Sequence, residues 1–261
     1  MKNNCLNCNE LITGNFCGNC GQKKYKRIDR KYIWDEIQYT LLHTNKGFLY
    51  SVKKILKNPG KTAKEFVEGN RVNHYKPILL AFVLSGISAF ISLKIVGLNA
   101  IMKDILSKKG MYSDFMNDVI SFSSSYNSLI MLMLIPVFAL LTKLVFSKWG
   151  HNYYEHVVMN SYILSFYMLF NIILYYPLLF AVRNNIGLFE LLSFGNLLII
   201  PLIMIWFYNY FYPEATLKSI ILRILLLLAI LFVGYIALIF AATILYLLMY
   251  GQEAIHHLQL K

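Results

Sequence analysis

Four cysteines within the first 20 residues carry the clearest chemistry in the chain. They read Cys5-x2-Cys8, eight residues, then Cys17-x2-Cys20-Gly-Gln. Each Cys-x2-Cys pair turns the backbone tightly enough to aim two sulfurs at one ion, and two such pairs complete a tetrahedral thiolate site. The spacing predicts one structural zinc on Cys5, Cys8, Cys17 and Cys20. Gly18 and Gly21 would relieve the turns, and Leu11 and Phe16 would cover the metal on one side. An iron centre or a redox dithiol would use the same sulfurs, but no neighbouring residue supports either. Four sulfurs leave no open coordination position, so the site is expected to fold or dock rather than catalyse. Residues 1–22 hold no apolar secretory segment, which points to a reducing compartment and to thiols that are free or metal-bound.

A second polar group is His151-Asn-Tyr-Tyr-Glu155-His156. On a helix His151 and Glu155 share a face, and His156 follows around the turn. Arg71, His74 and Arg223 are expected at the same membrane level. Together these six could bind a lipid headgroup phosphate or a second metal. Polar residues also gather wherever helix ends meet water, and that plain reading applies equally. No paired-carboxylate, His-Glu-x-x-His or Gly-rich phosphate motif occurs, so no catalytic residue is assigned.

The elements that position these groups follow from hydropathy. The chain has 261 residues, 57% hydrophobic and 15% charged, with the apolar residues in blocks. Blocks of about 20 apolar residues span a bilayer. The segment Arg71-Val-Asn-His-Tyr-Lys-Pro77 is the way in: Pro77 suits a first helical turn, and Tyr75 and Lys76 suit the water–lipid boundary. Five spans are predicted, at about 77–97, 127–147, 156–182, 187–211 and 218–249, the last longer than a bilayer needs. A polar excursion at 99–125 carries a surface helix. Within the spans, Asn160, Ser161, Ser165, Asn171, Glu190 and Asn196 are the main polar residues, with Glu190 near an outer interface. Polar groups at that depth serve as interhelical hydrogen-bond partners or mark function.

Between the cysteines and Pro77, residues 23–76 are basic. Lys23–Lys31 is a connector, a helical pattern runs through Ile33, Ile37 and Leu41, and a second amphipathic piece runs from Gly47 to Lys57. Asn58-Pro-Gly60 stops it, and Thr62-Ala-Lys-Glu65 reads as a capping box opening a helix that ends near Gly69. These pieces are expected to lie on the inner leaflet; a small soluble helical domain is the alternative. Of the 25 Lys and Arg residues, fifteen precede Pro77. With the N-terminus inside, cytoplasmic segments also gain Lys143, Lys148, Lys218 and Arg223, while outer segments hold Lys103, Lys108, Lys109, Arg183 and Lys261. That bias predicts a cytoplasmic N-terminus and an external C-terminus. The net charge of +12 therefore fits anionic headgroups rather than nucleic acid.

Several stretches together resemble a known family. They are the Cys-x2-Cys-x8-Cys-x2-Cys-Gly-Gln opening, Asn45-Lys-Gly-Phe-Leu-Tyr50, Asn58-Pro-Gly60, Glu65-Phe-Val-Glu-Gly69 with Arg71, Tyr75 and Pro77, and Tyr154-Glu-His156. The chain resembles the bacterial zinc-ribbon membrane family called domain of unknown function 3667, although Tyr75 stands two residues before Pro77 rather than three. The likeness covers residues 5–77, the Glu-His segment, and the remainder only as hydropathy. It implies that knuckle, amphipathic segment and spans form one unit, and it implies no activity.

The expected architecture is an all-α integral membrane protein. A zinc knuckle (1–22) and a basic amphipathic segment (23–76) precede a helical membrane domain (77–249) and a short tail (250–261). The expected function is a non-enzymatic scaffold or recruitment module of the bacterial inner membrane that binds anionic lipid or a cytosolic protein. A small-solute or lipid transporter and a membrane metalloenzyme using His151, Glu155 and His156 are the rivals.

Overall fold

The computed structural model describes residues 4–5, 8–21, 47–70 and 74–259, and side chains up to 241 together with those of Thr243 and Ile244. The chain divides into two compact units, Met1–Gly47 and Phe48–Lys261. The connector and the helical pattern expected between residues 23 and 46 lie outside the described residues.

In the first unit the backbone doubles back through an isolated antiparallel bridge between Asn4 and Leu11. Cys5, Cys17 and Ile12 form its small buried core. Ile12 takes the covering role expected of Leu11 and Phe16, both of which are exposed. The reason is alternation: the bridge turns Leu11 outward, so its neighbour Ile12 faces the sulfurs. Positive φ falls at Asn9 and Gly21, each directly after a Cys-x2-Cys pair. Gly21 thus relieves a turn as expected, and Asn9, which tolerates the left-handed region, does so after the first pair. Gly18 does not adopt positive φ.

The second unit is helical throughout its regular elements. Two short helices, α1 (Gly47–Lys57) and α2 (Pro59–Val67), precede the spans. Next come α3 (Pro77–Phe90), continued by wider π-type turns at Ile91–Val96, then α4 (Leu98–Lys108) and α5 (Asp114–Ser125). They are followed by α6 (Asn127–Val145) and α7 (Tyr153–Phe170) with π-type turns at Asn171–Tyr175, then α8 (Tyr176–Val182), α9 (Ile186–Phe211) and α10 (Leu217–Gln259). Five of these helices or continuous helical runs are long and apolar enough to cross a membrane: 77–96, 127–145, 153–182, 186–211 and 217–241. They coincide with the five expected spans.

Local chemistry explains the boundaries. Helix α2 starts at Pro59, three residues before the expected Thr62, because Asn58 is a complete N-cap: its side chain accepts from the Lys61 N–H at 2.9 Å, with proline at the first helical position. The third span starts at Tyr153 rather than 156 because Asn152 and Glu155 form a reciprocal capping box. The π-type turns at 171–175 stand just before Pro177, which has no N–H to return to the helix.

Helix α7 is the centre of the bundle, packed by α3, α6, α2 and α9. Its buried residues include His156, Asn160, Ser161, Tyr162 and Ser165. The main core joins Leu80 and Leu84 of α3, Tyr162 and Met159 of α7, Phe207 and Tyr208 of α9, and Ile220, Ile224 and Leu227 of α10. A smaller core at the other end joins Val96, Ile105, Leu179 and Phe189.

The amphipathic helices do not lie free on the leaflet. Helix α2 packs against α7 and α9, and Ile55 and Ala63 are fully buried. The approach is so close that a Cβ on Gly60 would stand 2.1 Å from the Phe207 carbonyl oxygen. Only a glycine lets these two helices meet. Helix α1 is tied to the start of α3 by the Tyr75 N–H, which donates to Ser51 Oγ at 2.8 Å in a buried position, and by edge-on Phe48 and Tyr75 rings.

Candidate metal centre and the membrane-boundary residues

The four sulfurs predicted to share an ion converge. All Sγ atoms lie within 4.8 Å of one another. The Cys5–Cys20 and Cys8–Cys17 separations are 3.5 Å and Cys8–Cys20 is 3.4 Å. Disulfides need about 2.05 Å, so these are free thiols. A tetrahedral ion with sulfur at about 2.3 Å would space the sulfurs about 3.8 Å apart, and the cluster is close to that size. Electrostatics agree. The Cys8 thiol accepts a hydrogen bond from the Glu10 backbone, which lowers its pKa, yet the Cys20, Cys17 and Cys5 thiols and desolvation push it up to about 12. Thiols this crowded resist ionisation unless a cation balances them, and a divalent metal would do so. The donor set therefore fits a metal ion.

The polar boundary residues fall into two groups. Tyr212, in the turn between α9 and α10, gathers the first. Its hydroxyl and His151 Nδ1 share a 3.2 Å hydrogen bond, and Glu155 and Arg223 act on it electrostatically. Burial, followed by the Glu155 charge, raises the Tyr212 phenol, with Arg223 opposing, so it stays protonated. Arg223 has other partners as well. Its guanidinium lies 4.6 Å from the Trp149 ring centroid and 5.8 Å from that of Phe146, and it donates to the Val145 carbonyl. Glu155 closes the α7 cap by accepting from the Asn152 N–H at 2.7 Å. His156 is fully buried and within electrostatic range of His151, Glu155 and Lys143. Neither of its ring nitrogens has a hydrogen-bond partner among the described residues.

His74 belongs to the second group, beside α1 and α2. It stands edge-on to Tyr50 (5.3 Å) and Phe66 (6.1 Å), and its ring nitrogens are also unpartnered among the described residues. Burial lowers its pKa, with Glu65 opposing and Lys54 assisting. Arg71 lies outside the described residues. Apart from the four cysteines, no group of three or more His, Cys, Asp or Glu side chains converges among the described residues.

Deeper in the bundle, Asn160 Nδ2 donates to Thr142 Oγ1 (2.9 Å) and the His156 carbonyl (2.8 Å), and Asn196 Nδ2 donates to the Tyr167 hydroxyl (3.1 Å). Ser161 and Ser165 bond back to their own helix. Glu190 pairs with Lys109 at 2.5 Å. Sequence reading missed Trp149, Tyr212 and Gly60. The two aromatics carried a usable signal, rings beside the ends of spans; Gly60 read only as a helix stop.

The model of a family described as Protein of unknown function (DUF3667) matches residues 45–89. The likeness to that family is thus confined to this segment. The matched stretch covers α1, α2 and most of α3, which is the hairpin docked on the bundle and the first span behind it. No curated protein and no solved structure matches the chain.

Proposed function

We propose that this protein is a non-enzymatic module of the bacterial cytoplasmic membrane, with its N-terminus inside. Its cysteine cluster holds a structural zinc, and its docked hairpin engages anionic lipid. The observation that carries this reading is the outward stripe of α1. Leu49 and Leu56 are 77% and 40% exposed, and Lys53 and Lys57 beside them are exposed too. Positions 49, 53, 56 and 57 share one helical face, and exposed Lys61 extends the charge onto α2. Leucines beside lysines at a membrane boundary suit the headgroup layer, where the apolar side chains insert and each cation contributes about 1 kcal/mol. Lys54 does not join the stripe; it turns inward to Glu65 (3.6 Å) and the Tyr50 ring. The four-sulfur donor set and the absence of an open coordination position favour a structural ion over a catalytic one.

The test uses the full chain in nanodiscs of phosphatidylglycerol and phosphatidylcholine, reading the lipids retained at the protein by mass spectrometry. Wild type is expected to enrich phosphatidylglycerol, and Lys53→Gln with Lys57→Gln and Lys61→Gln to lose most of that enrichment. Equal enrichment in both proteins would sink the reading. Transport is the second reading, supported by buried carbonyl oxygens of Asn171 and Asn196 that have no partner among the described residues. It requires solute flux in proteoliposomes that falls on Asn171→Ala, and no flux across a broad solute panel counts against it.

A further inference from the structure

A cleft of about 450 Å³ opens where α2 meets the turns joining α6 to α7 and α9 to α10. That volume is within the usual range for small-ligand sites, about 300–1,000 Å³. Its walls are aromatic: Trp149, Phe211 and Tyr212, with the Trp149 and Tyr212 rings 4.3 Å apart. Its polar groups are Lys64, Glu68, His151 and Glu214. Residues 149 and 151 fall between the spans ending at Val145 and starting at Tyr153, and residues 212–215 between those ending at Phe211 and starting at Leu217. The cleft is thus at headgroup depth.

The charges in it are mixed. Two carboxylates outnumber the one lysine, and Lys64 is already 3.7 Å from Glu68. Glu68 and Glu214 would oppose a purely anionic headgroup here, unlike at the α1 stripe, with Arg223 at the Trp149 ring offsetting them only in part. A cation among aromatic faces and carboxylates gains from both. His151, whose Nδ1 shares a hydrogen bond with the Tyr212 hydroxyl, and Lys64 suit a phosphate; in the tautomer in which Tyr212 donates, His151 presents an Nε2–H. Opposite charges on one small ligand would match opposite charges in one small cleft.

We propose that this cleft binds the phosphoethanolamine headgroup of a membrane lipid, its primary ammonium against Glu68, Glu214 and the aromatic wall, and its phosphate toward Lys64 and His151. The site rests on the membrane placement of the spans and not on the lysine stripe of α1, so either can fail alone.

Native mass spectrometry of the full chain in detergent tests it, titrating phosphatidylethanolamine against phosphatidylglycerol, which carries the same phosphodiester without the amine. With the α1 stripe silenced by Lys53→Gln, Lys57→Gln and Lys61→Gln, the chain is expected to bind phosphatidylethanolamine several-fold more tightly. Adding Glu68→Gln and Glu214→Gln, at two exposed positions, is expected to erase the preference by weakening phosphatidylethanolamine binding and strengthening phosphatidylglycerol binding, with the melting temperature unchanged. Equal binding of both lipids by the chain with the silenced stripe, or a preference that survives the two glutamate changes, would overturn the proposal. Free phosphoethanolamine is expected to compete poorly because it lacks acyl chains; competition equal to that of the lipid would overturn the assignment to a membrane source.

Discussion

Helices α7 and α10 both cross the apolar layer, yet they occupy opposite positions. The α10 span is the most apolar of the five and the least buried, with 11% of its most apolar stretch inside the protein against 33% for the run containing α7. Phe232, Val233, Tyr235, Leu238 and Phe240 of α10 face outward, while α7 buries His156, Asn160, Ser161 and Ser165. In water the more apolar helix would be the core. In lipid the acyl chains solvate Leu and Phe as well as protein does, so apolar residues have no reason to leave them. Polar and small residues do, because an amide or hydroxyl facing hydrocarbon goes unbonded. The helix with the interior side chains is therefore the less apolar one.

Paired substitutions sharpen this contrast. The largest effect is expected at the closest helix contact. Gly60→Ala drives a Cβ into the Phe207 carbonyl, which no side-chain rotation relieves, and should cost about 3 kcal/mol. Gly234→Ala on α10 meets nothing within 4 Å and should leave stability equal or slightly higher. Thermal melts in one detergent compare the two; equal losses would break the distinction between interior and periphery. A smaller gap separates Asn160→Leu from Thr243→Val. The first removes bonds to Thr142 and the His156 carbonyl, worth about 1 kcal/mol inside a membrane bundle. The second removes only an exposed bond back along α10 and should change almost nothing.

The smallest effect is a pH dependence at the edge of the bundle. Burial lowers the pKa of His74, so the unfolded chain takes up the proton first, near 6.5. The His74 contribution is complete above that pH and declines as pH falls from there toward the lower folded value. His74→Phe, a ring of similar shape between Tyr50 and Phe66, should flatten part of the acid loss in melts between pH 8 and 5. An unchanged slope would show that His74 takes up its proton as easily in the folded protein.

Much of this architecture is legible in the residues. The five spans follow from apolar run length, α1 from its amphipathic period, and the sulfur cluster from the paired Cys-x2-Cys spacing. The order within the bundle is not legible, because hydropathy measures preference for an apolar surrounding and lipid and protein interior offer the same one. That Gly60 marks a helix crossing is hidden for a related reason: its partner is a backbone carbonyl 147 positions away, which leaves no side-chain pattern to read. The Tyr212 cluster combines residues from two turns, and only tertiary packing brings His151 and Arg223 to the same ring.

The bundle is held by packing and by the bilayer, whereas the described residues of the first unit bury Cys5, Cys17 and Ile12, and we expect that unit to depend on what its sulfurs hold. Metal content per chain in detergent-purified protein tests this most directly, for wild type and for a variant with Cys5, Cys8, Cys17 and Cys20 all changed to Ser. The account predicts one zinc per wild-type chain and none in the variant. Wild type without metal, or a variant that keeps it, would contradict the account.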